Sequence, residues 1–217
     1  MIRCQCEGLE LETKRWALQD LALYRQGKPA KTTQMLVRAL VDLGVGGLTV
    51  LDIGGGIGTV QLELLRAGAT RSTSVEASAA YVALAQQLAA EASLNHRITC
   101  IHGDFVRLAG QIHDADVVTL DRVVCCYDDV AALVSLSAAK ARKLYALVYP
   151  RSEWWVKFAL FFENLGYRLQ RSPFRAFVHP TELVDRLVQT AGLQMISQES
   201  TFSWQVVIYQ RPDALTS

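Results

Sequence analysis

The run Leu48-Thr-Val-Leu-Asp-Ile-Gly-Gly-Gly-Ile-Gly-Thr59 leaves the chain few folds to choose from. A short aliphatic and β-branched run ends in an acid, and a glycine-rich turn then opens an amphipathic stretch. That is how a parallel strand hands over to a helix at a ligand. Gly54, Gly56 and Gly58 let the backbone turn tightly and approach a ligand more closely than any side chain permits. The helix predicted over Ile57 to Arg66 presents its free amides at the same place. The spacing is Asp-x-Gly-x-Gly-x-Gly, and Thr59 stands where the dinucleotide fingerprint wants glycine or alanine. Asp52 at the strand end would repel a pyrophosphate and suits a cationic ammonium group. Both details argue against NAD.

The pattern continues through three more strand ends. Arg71 to Glu76 closes on an acid, Gly103-Asp104-Phe105 follows the strand-like Ile98 to His102, and Asp116 to Asp121 closes on another acid. In this order the motifs resemble the class I S-adenosylmethionine-dependent methyltransferases. The resemblance implies an α/β, Rossmann-like fold with a seven-stranded, mostly parallel sheet, an antiparallel last strand and helices on both faces. It implies S-adenosylmethionine as cofactor and S-adenosylhomocysteine as its product. Asp52, Gly54, Gly56 and Gly58 would hold the methionine part, Glu76 the ribose, and Asp104 with Phe105 the adenine. Asp121 would lie beside the methionine moiety.

Within that family the layout is similar to magnesium-protoporphyrin O-methyltransferase-like proteins, through Arg15-Trp16, Arg25-Gln-Gly27, the glycine motif and the Asp121 region. The chain departs from that group in two places. It carries Glu7-Gly-Leu-Glu10 where the group has an early Tyr-Phe pair, and Cys125 or Cys126 where the group has a histidine after the fourth strand. The resemblance therefore speaks for a methyltransferase more than for that acceptor.

At 217 residues, half of them apolar, the chain can bury one real core and is not disordered as a whole. A formal charge of +1 gives no global footprint for nucleic acid. No apolar run reaches a membrane span and the start reads as no signal peptide, so no stable membrane insertion is expected. Five cysteines without a secretory signal point to free thiols and a cytoplasmic setting. Cys4 and Cys6 lack the companion pair of a structural zinc site, so no metal is expected.

Residues 1–47 read as a helical prefix, with helices predicted over Lys14 to Gln26 and Ala30 to Leu43. In the family such prefixes close over the site, which makes Tyr24, Lys28 and Thr32 candidate pocket residues. Residues 48–217 form the core, and residues 151–180 an aromatic, basic insertion expected to cap the substrate mouth. Trp154, Trp155, Phe158, Phe161, Phe162 and Leu165 repeat there at helical spacing among Arg151, Lys157, Arg168, Arg171 and Arg175. Such a segment suits a cap, peripheral membrane contact through residues 151–178, or a dimer face, leaving monomer and homodimer both open.

Tyr127 and Asp128 follow the fourth strand, where α/β ligands react, and His179 ends the insertion; these three are the candidate catalytic groups. The plainer expectation is that Tyr127 shapes the pocket while Asp128 or Asp129 caps a helix over Val130 to Arg142. A fifth strand is predicted over Lys143 to Pro150, then a helix over Thr181 to Ala191 and strands over Leu193 to Ser197 and Phe202 to Tyr209. The function expected is methyl transfer to oxygen, or to nitrogen or sulfur, of a small aromatic or anionic acceptor. Two alternatives stand beside it: a non-catalytic cofactor-binding scaffold, and a thiol or metalloid S-methyltransferase using Cys125 or Cys126.

Overall fold

The computed structural model describes residues 9–212, so Cys4, Cys6 and the early Glu7-Gly8 lie outside the described residues. Along the chain come α1 (Glu10–Arg25), α2 (Lys31–Asp42), β1 (Thr49–Ile53), α3 (Thr59–Arg66), β2 (Arg71–Glu76) and α4 (Ala79–Glu91). Then follow β3 (Ile98–His102), α5 (Phe105–Leu108), β4 (Ala115–Asp121), α6 (Val130–Ala139) and β5 (Ala141–Pro150). The chain closes with α7 (Trp154–Leu169), α8 (Thr181–Thr190), β6 (Gln194–Ser200) and β7 (Trp204–Gln210).

One seven-stranded sheet runs in the order β3-β2-β1-β4-β5-β7-β6. β1 to β5 pair parallel, and β7 enters antiparallel between β5 and β6, as the resemblance implies. The order reverses between β1 and β4, which opens a crevice beyond their carboxyl ends.

Alternation along buried strands builds two cores. On β5, Tyr145, Leu147 and Tyr149 join the core under α6 and α8, while Leu144, Ala146 and Val148 join the core under α2 and α3. Val184 and Val188 bring α8 to the first core, and Leu36 and Leu40 bring α2 to the second. α1 packs on α4, where Leu21 meets Leu88 beside Ile57 and Leu62.

Boundaries shift for local reasons. α3 starts at Thr59 rather than Ile57 because Gly58, at φ 86°, turns left-handed as its N-cap. α6 stops at Ala139, and Ala141 and Arg142 join β5 because Ala141 registers against Ala115 of β4. Tertiary pairing overrides the helical reading there.

Candidate functional site

β1, β2 and β4 deliver three acids to the crevice. Parallel register sets Asp52 beside Thr119 and Ser74, and the Thr119 hydroxyl donates to Asp52 Oδ1 at 2.7 Å. Asp52 is fully buried, and among the described residues its Oδ2 has no hydrogen-bond partner. Burial pushes its pKa up to about 7; the Thr119 bond opposes the rise, and the Asp121 and Glu76 carboxylates add to it. A Cβ on Gly55 would stand 2.7 Å from both Asp52 Oδ2 and Ser74 Oγ, so only glycine lets the loop cross this acid.

Glu76 fastens the same loop from the other side. Its Oε2 accepts the Gly56 N–H at 3.0 Å and its Oε1 the Ser78 N–H at 2.8 Å. Burial raises its pKa against those amide bonds. Gly54, at φ 63°, packs against Val123 so tightly that a Cβ would overlap that side chain.

Asp121 ends β4. Its Oδ2 accepts the Thr33 hydroxyl at 2.5 Å, while Oδ1 lies 3.7 Å from Arg122 Nε with no hydrogen bond. Burial raises this pKa too, with the Arg122 charge and the Thr33 bond pulling it down. Arg122 itself is held at φ 61°, a conformation side chains avoid. It lines both cavities described next.

The larger cavity, about 330 Å³, runs from Gly54, Gly56, Glu76, Asp104 and Phe105 to an aromatic roof. That size suits a small-molecule site. The roof comes from Trp16 on α1, Leu160, Glu163 and Tyr167 on α7, and Phe174 beyond it. Phe174 sits between Trp16 and Tyr167, edge to face with each, at centroid distances of 5.3 and 5.2 Å. A second cavity of about 140 Å³ lies between Lys28, Ala30 and Thr33 and the Asp52 and glycine side of the loop. Asp20, Gly54, Gly56, Asp121 and Arg122 border both.

Asp104 is the N-cap of α5, accepting the Val106 N–H at 3.0 Å. The Tyr127 hydroxyl donates toward it, 3.0 Å from each carboxylate oxygen. Phe105, the first residue of α5, is buried against the cavity. Gly58 lies behind the loop, outside both linings, where a Cβ would meet Gln61.

The three candidate catalytic groups do not converge. Tyr127 lines the cavity but spends its hydroxyl on Asp104. Asp128 is exposed, bonds the Asp129 N–H at 2.9 Å and lines neither cavity, while Asp129 caps α6 through Ala132. His179 is also outside both linings: its Nε2 lies 2.9 Å from the Tyr127 carbonyl and its ring stacks on Phe177. Burial lowers its pKa below the usual imidazole value. With the Phe177 N–H donating to the Cys125 carbonyl at 2.8 Å, His179 straps the insertion's tail to the loop after β4.

The aromatic repeat of the insertion is a helix as predicted, but rotated. Trp154, Phe158, Phe161 and Phe162 point outward, and Leu160, Glu163 and Tyr167 supply the roof. Of the prefix candidates, Lys28 borders the smaller cavity, while Tyr24 donates to Glu63 and accepts from Arg66 away from it. Sequence reasoning missed Asp20 and Tyr81, whose hydroxyl donates to Asp20 at 2.8 Å, and Thr33 on Asp121. One signal was available: Thr13, Trp16 and Asp20 recur at helical spacing and all line the cavity. Cys125 and Cys126 both line it as well, their sulfurs 3.6 Å apart. Among the described residues, no three His, Cys, Asp or Glu side chains gather to hold a metal ion.

A family model described as a methyltransferase domain matches residues 50–143. That stretch holds the glycine loop and the acids of β1, β2 and β4, and the sheet order is that of the class I methyltransferase fold. Among solved structures, magnesium protoporphyrin IX methyltransferase (ChlM) from Synechocystis PCC 6803, with bound SAH, is 23% identical at a TM-score of 0.69. The match covers 83% of this chain and 82% of that one. An O-methyltransferase family protein from Burkholderia thailandensis is 19% identical, TM-score 0.66, over 82% of this chain and 56% of that one. The cyclase SpnF is 14% identical, TM-score 0.60, over 80% and 81%. One fold thus serves methyl transfer and cyclisation, and the likeness carries the fold. No curated relative matches the sequence.

Methyltransferase domains use S-adenosylmethionine, and the residues here fit it. The unpartnered buried oxygen on Asp52, with Asp121 beside it, suits a cationic ligand, and the loop at Gly54 and Gly55 admits no side chain.

Proposed function

We propose that this chain is an S-adenosylmethionine-dependent methyltransferase acting on a heteroatom, oxygen first, of a small, largely apolar acceptor. The observation that carries this reading is the continuity of the larger cavity. Cofactor-type residues Gly54, Gly56, Glu76 and Asp104 share one space with Trp16, Leu160, Tyr167 and Phe174. S-adenosylmethionine supplies an electrophilic sulfonium methyl when bound.

Asp52 and Asp121 would face the ammonium end, where their ionised forms are most useful. Glu76 would hold the ribose while keeping Gly56 in place, and Asp104 with Phe105 would hold the adenine. The residues 9–47 and the roof from α7 would exclude water and orient the acceptor. Arg122, on both cavities, suits an anionic substituent on the acceptor. Alignment of an acceptor whose own pKa matches the reaction suffices here, without a dedicated side-chain base.

Calorimetric titration of S-adenosylmethionine and S-adenosylhomocysteine, beside Glu76→Ala and Asp52→Ala, tests the first half. Micromolar binding that both variants lose supports it; a folded protein that binds neither ligand sinks it. An acceptor panel beginning with phenols and aromatic carboxylates tests the second half. Firm cofactor binding without any acceptor would favour a scaffold. The cysteine pair sustains one competing reading, thiol or metalloid S-methylation, because both sulfurs line the cavity. Under that reading Cys125→Ser or Cys126→Ser abolishes turnover and leaves cofactor binding intact.

A further inference from the structure

α7 has two faces with different work. Its inner face carries Val156, Leu160, Asn164 and Tyr167, and Asn164 pins it to the returning chain through paired bonds to the Ala176 N–H and carbonyl, each 2.8 Å. Its outer face carries Trp154, Phe158, Phe161, Phe162, Leu165 and Leu169, between 41% and 79% exposed. These six follow one helical stripe. The rings are continuous: Phe158 and Phe161 each contact Phe162, at 4.9 and 5.5 Å. Trp154 meets Trp155, which meets Phe202 on the turn between β6 and β7, so the patch spans two elements. Contiguous exposed aromatic surfaces of this kind mark interaction sites in soluble proteins.

Charge on this face selects the partner. Lys157 and Arg168 fall along one flank of the stripe beside Phe161, and exposed Arg171 follows the helix. The one acid of α7, Glu163, lies on the opposite side, bordering the cavity and accepting the Tyr167 hydroxyl at 2.9 Å. The outer stripe of α7 therefore presents aromatics flanked by cations, and Glu153 at the helix N-cap is engaged by Arg151 at 3.0 Å. An isologous pairing of two copies would bring these cations together with no acid on the stripe to offset them. An anionic lipid surface offsets them, and lysine and arginine can extend to headgroups while the rings enter the interface. Among the described residues no helix is long and apolar enough to cross a membrane, so such contact lies on the surface.

We infer that the outer face of α7, with Phe202, docks the protein on an anionic lipid bilayer. The inference stands apart from methyl transfer. Full-length protein is floated with phosphatidylcholine vesicles containing phosphatidylglycerol, and with phosphatidylcholine alone. The expected result is binding to the anionic vesicles that weakens with salt and without phosphatidylglycerol. Lys157→Glu and Arg168→Glu each weaken it about fivefold or more. Combined Trp154→Ser, Phe158→Ser and Phe161→Ser removes it. These side chains are exposed, so circular dichroism and S-adenosylmethionine titration of the variants should match the parent. If the triple variant unfolds, the two charge reversals decide. No binding by the parent, or binding indifferent to these changes, overturns the inference. A dimer that depends on the stripe, without vesicle binding, also overturns it and gives the face to a second copy.

Discussion

The hydroxyl of Tyr127 stands 3.0 Å from both carboxylate oxygens of Asp104, joining the loop after β4 to the turn after β3. Both groups are nearly sealed from solvent, so this bond acts on a carboxylate that water cannot serve. Tyr127→Phe should cost about 1–3 kcal/mol of stability, measured by chemical denaturation. If Asp104 holds the adenine, cofactor affinity falls with it, whereas an acceptor's KM moves less.

Asp52 makes stability depend on pH in an unusual direction. Its pKa is raised from 3.8 to about 7, so the native state binds its proton more tightly than the unfolded chain. That contribution is fully present below the unfolded value and fades as pH rises through about 7. Asp52→Asn should therefore be more stable than the parent at pH 8, by roughly 4 kcal/mol at most, with the gap closing toward pH 4. Thermal melts of both proteins across that range check it.

Cofactor binding should show the same acid from the other side. A cationic ligand favours ionised Asp52, so S-adenosylmethionine affinity should rise from pH 6 to pH 8. Below about 7 binding should also release a proton, visible as a heat that changes with buffer ionisation enthalpy. Asp52→Asn should lose both effects.

Two glycines of the loop should fail differently. Gly54→Ala forces a Cβ into Val123 at a positive φ and should cost roughly 1–3 kcal/mol of stability. A Cβ on Gly56 has ordinary 3.7 Å contact with the Tyr81 ring. Gly56→Ala retains the strained φ, but its larger expected effect is on cofactor affinity, because Gly56 borders both cavities. Denaturation and calorimetry on the pair separate the two.

His179→Ala should lower the melting temperature and leave the pH profile of turnover unchanged, since the ring braces the Tyr127 carbonyl outside the cavity. Asp128→Ala should stay within about 0.5 kcal/mol of the parent in stability, as an exposed surface group does. A lost limb in either pH–rate profile would instead mark that residue as a base.

The strand ends were legible because their signal is local. Asp52, Glu76 and Asp121 each close a buried run, and glycine spacing fixes the turn between β1 and α3. The seven-stranded, mostly parallel sheet with its antiparallel last strand followed from the family resemblance. His179 was not legible, because its partner lies 52 residues away and a backbone carbonyl leaves no mark in the side-chain pattern. Thr33 on Asp121 is hidden for the same reason, at a separation of 88. Which face of α7 turns inward was not legible, because aromatic rings at helical spacing suggest burial, whereas the inward positions hold smaller or polar residues such as Val156 and Asn164.

α1 reaches over the larger cavity with Thr13, Trp16 and Asp20, and it is tied down along its length. Tyr81 holds Asp20, Arg25 pairs with Glu91 at 2.7 Å, and Tyr24 joins Glu63 and Arg66. On the proposed reading, spent cofactor leaves only when this shutter lifts, and each lifting breaks several polar clasps at once. The Arg25–Glu91 and Arg66–Glu63 pairs are half exposed and yield to salt, the part-buried Tyr81–Asp20 bond much less. The clock of the enzyme would then be set by exchange rather than chemistry, and mutations on the far side of α1 would speed it.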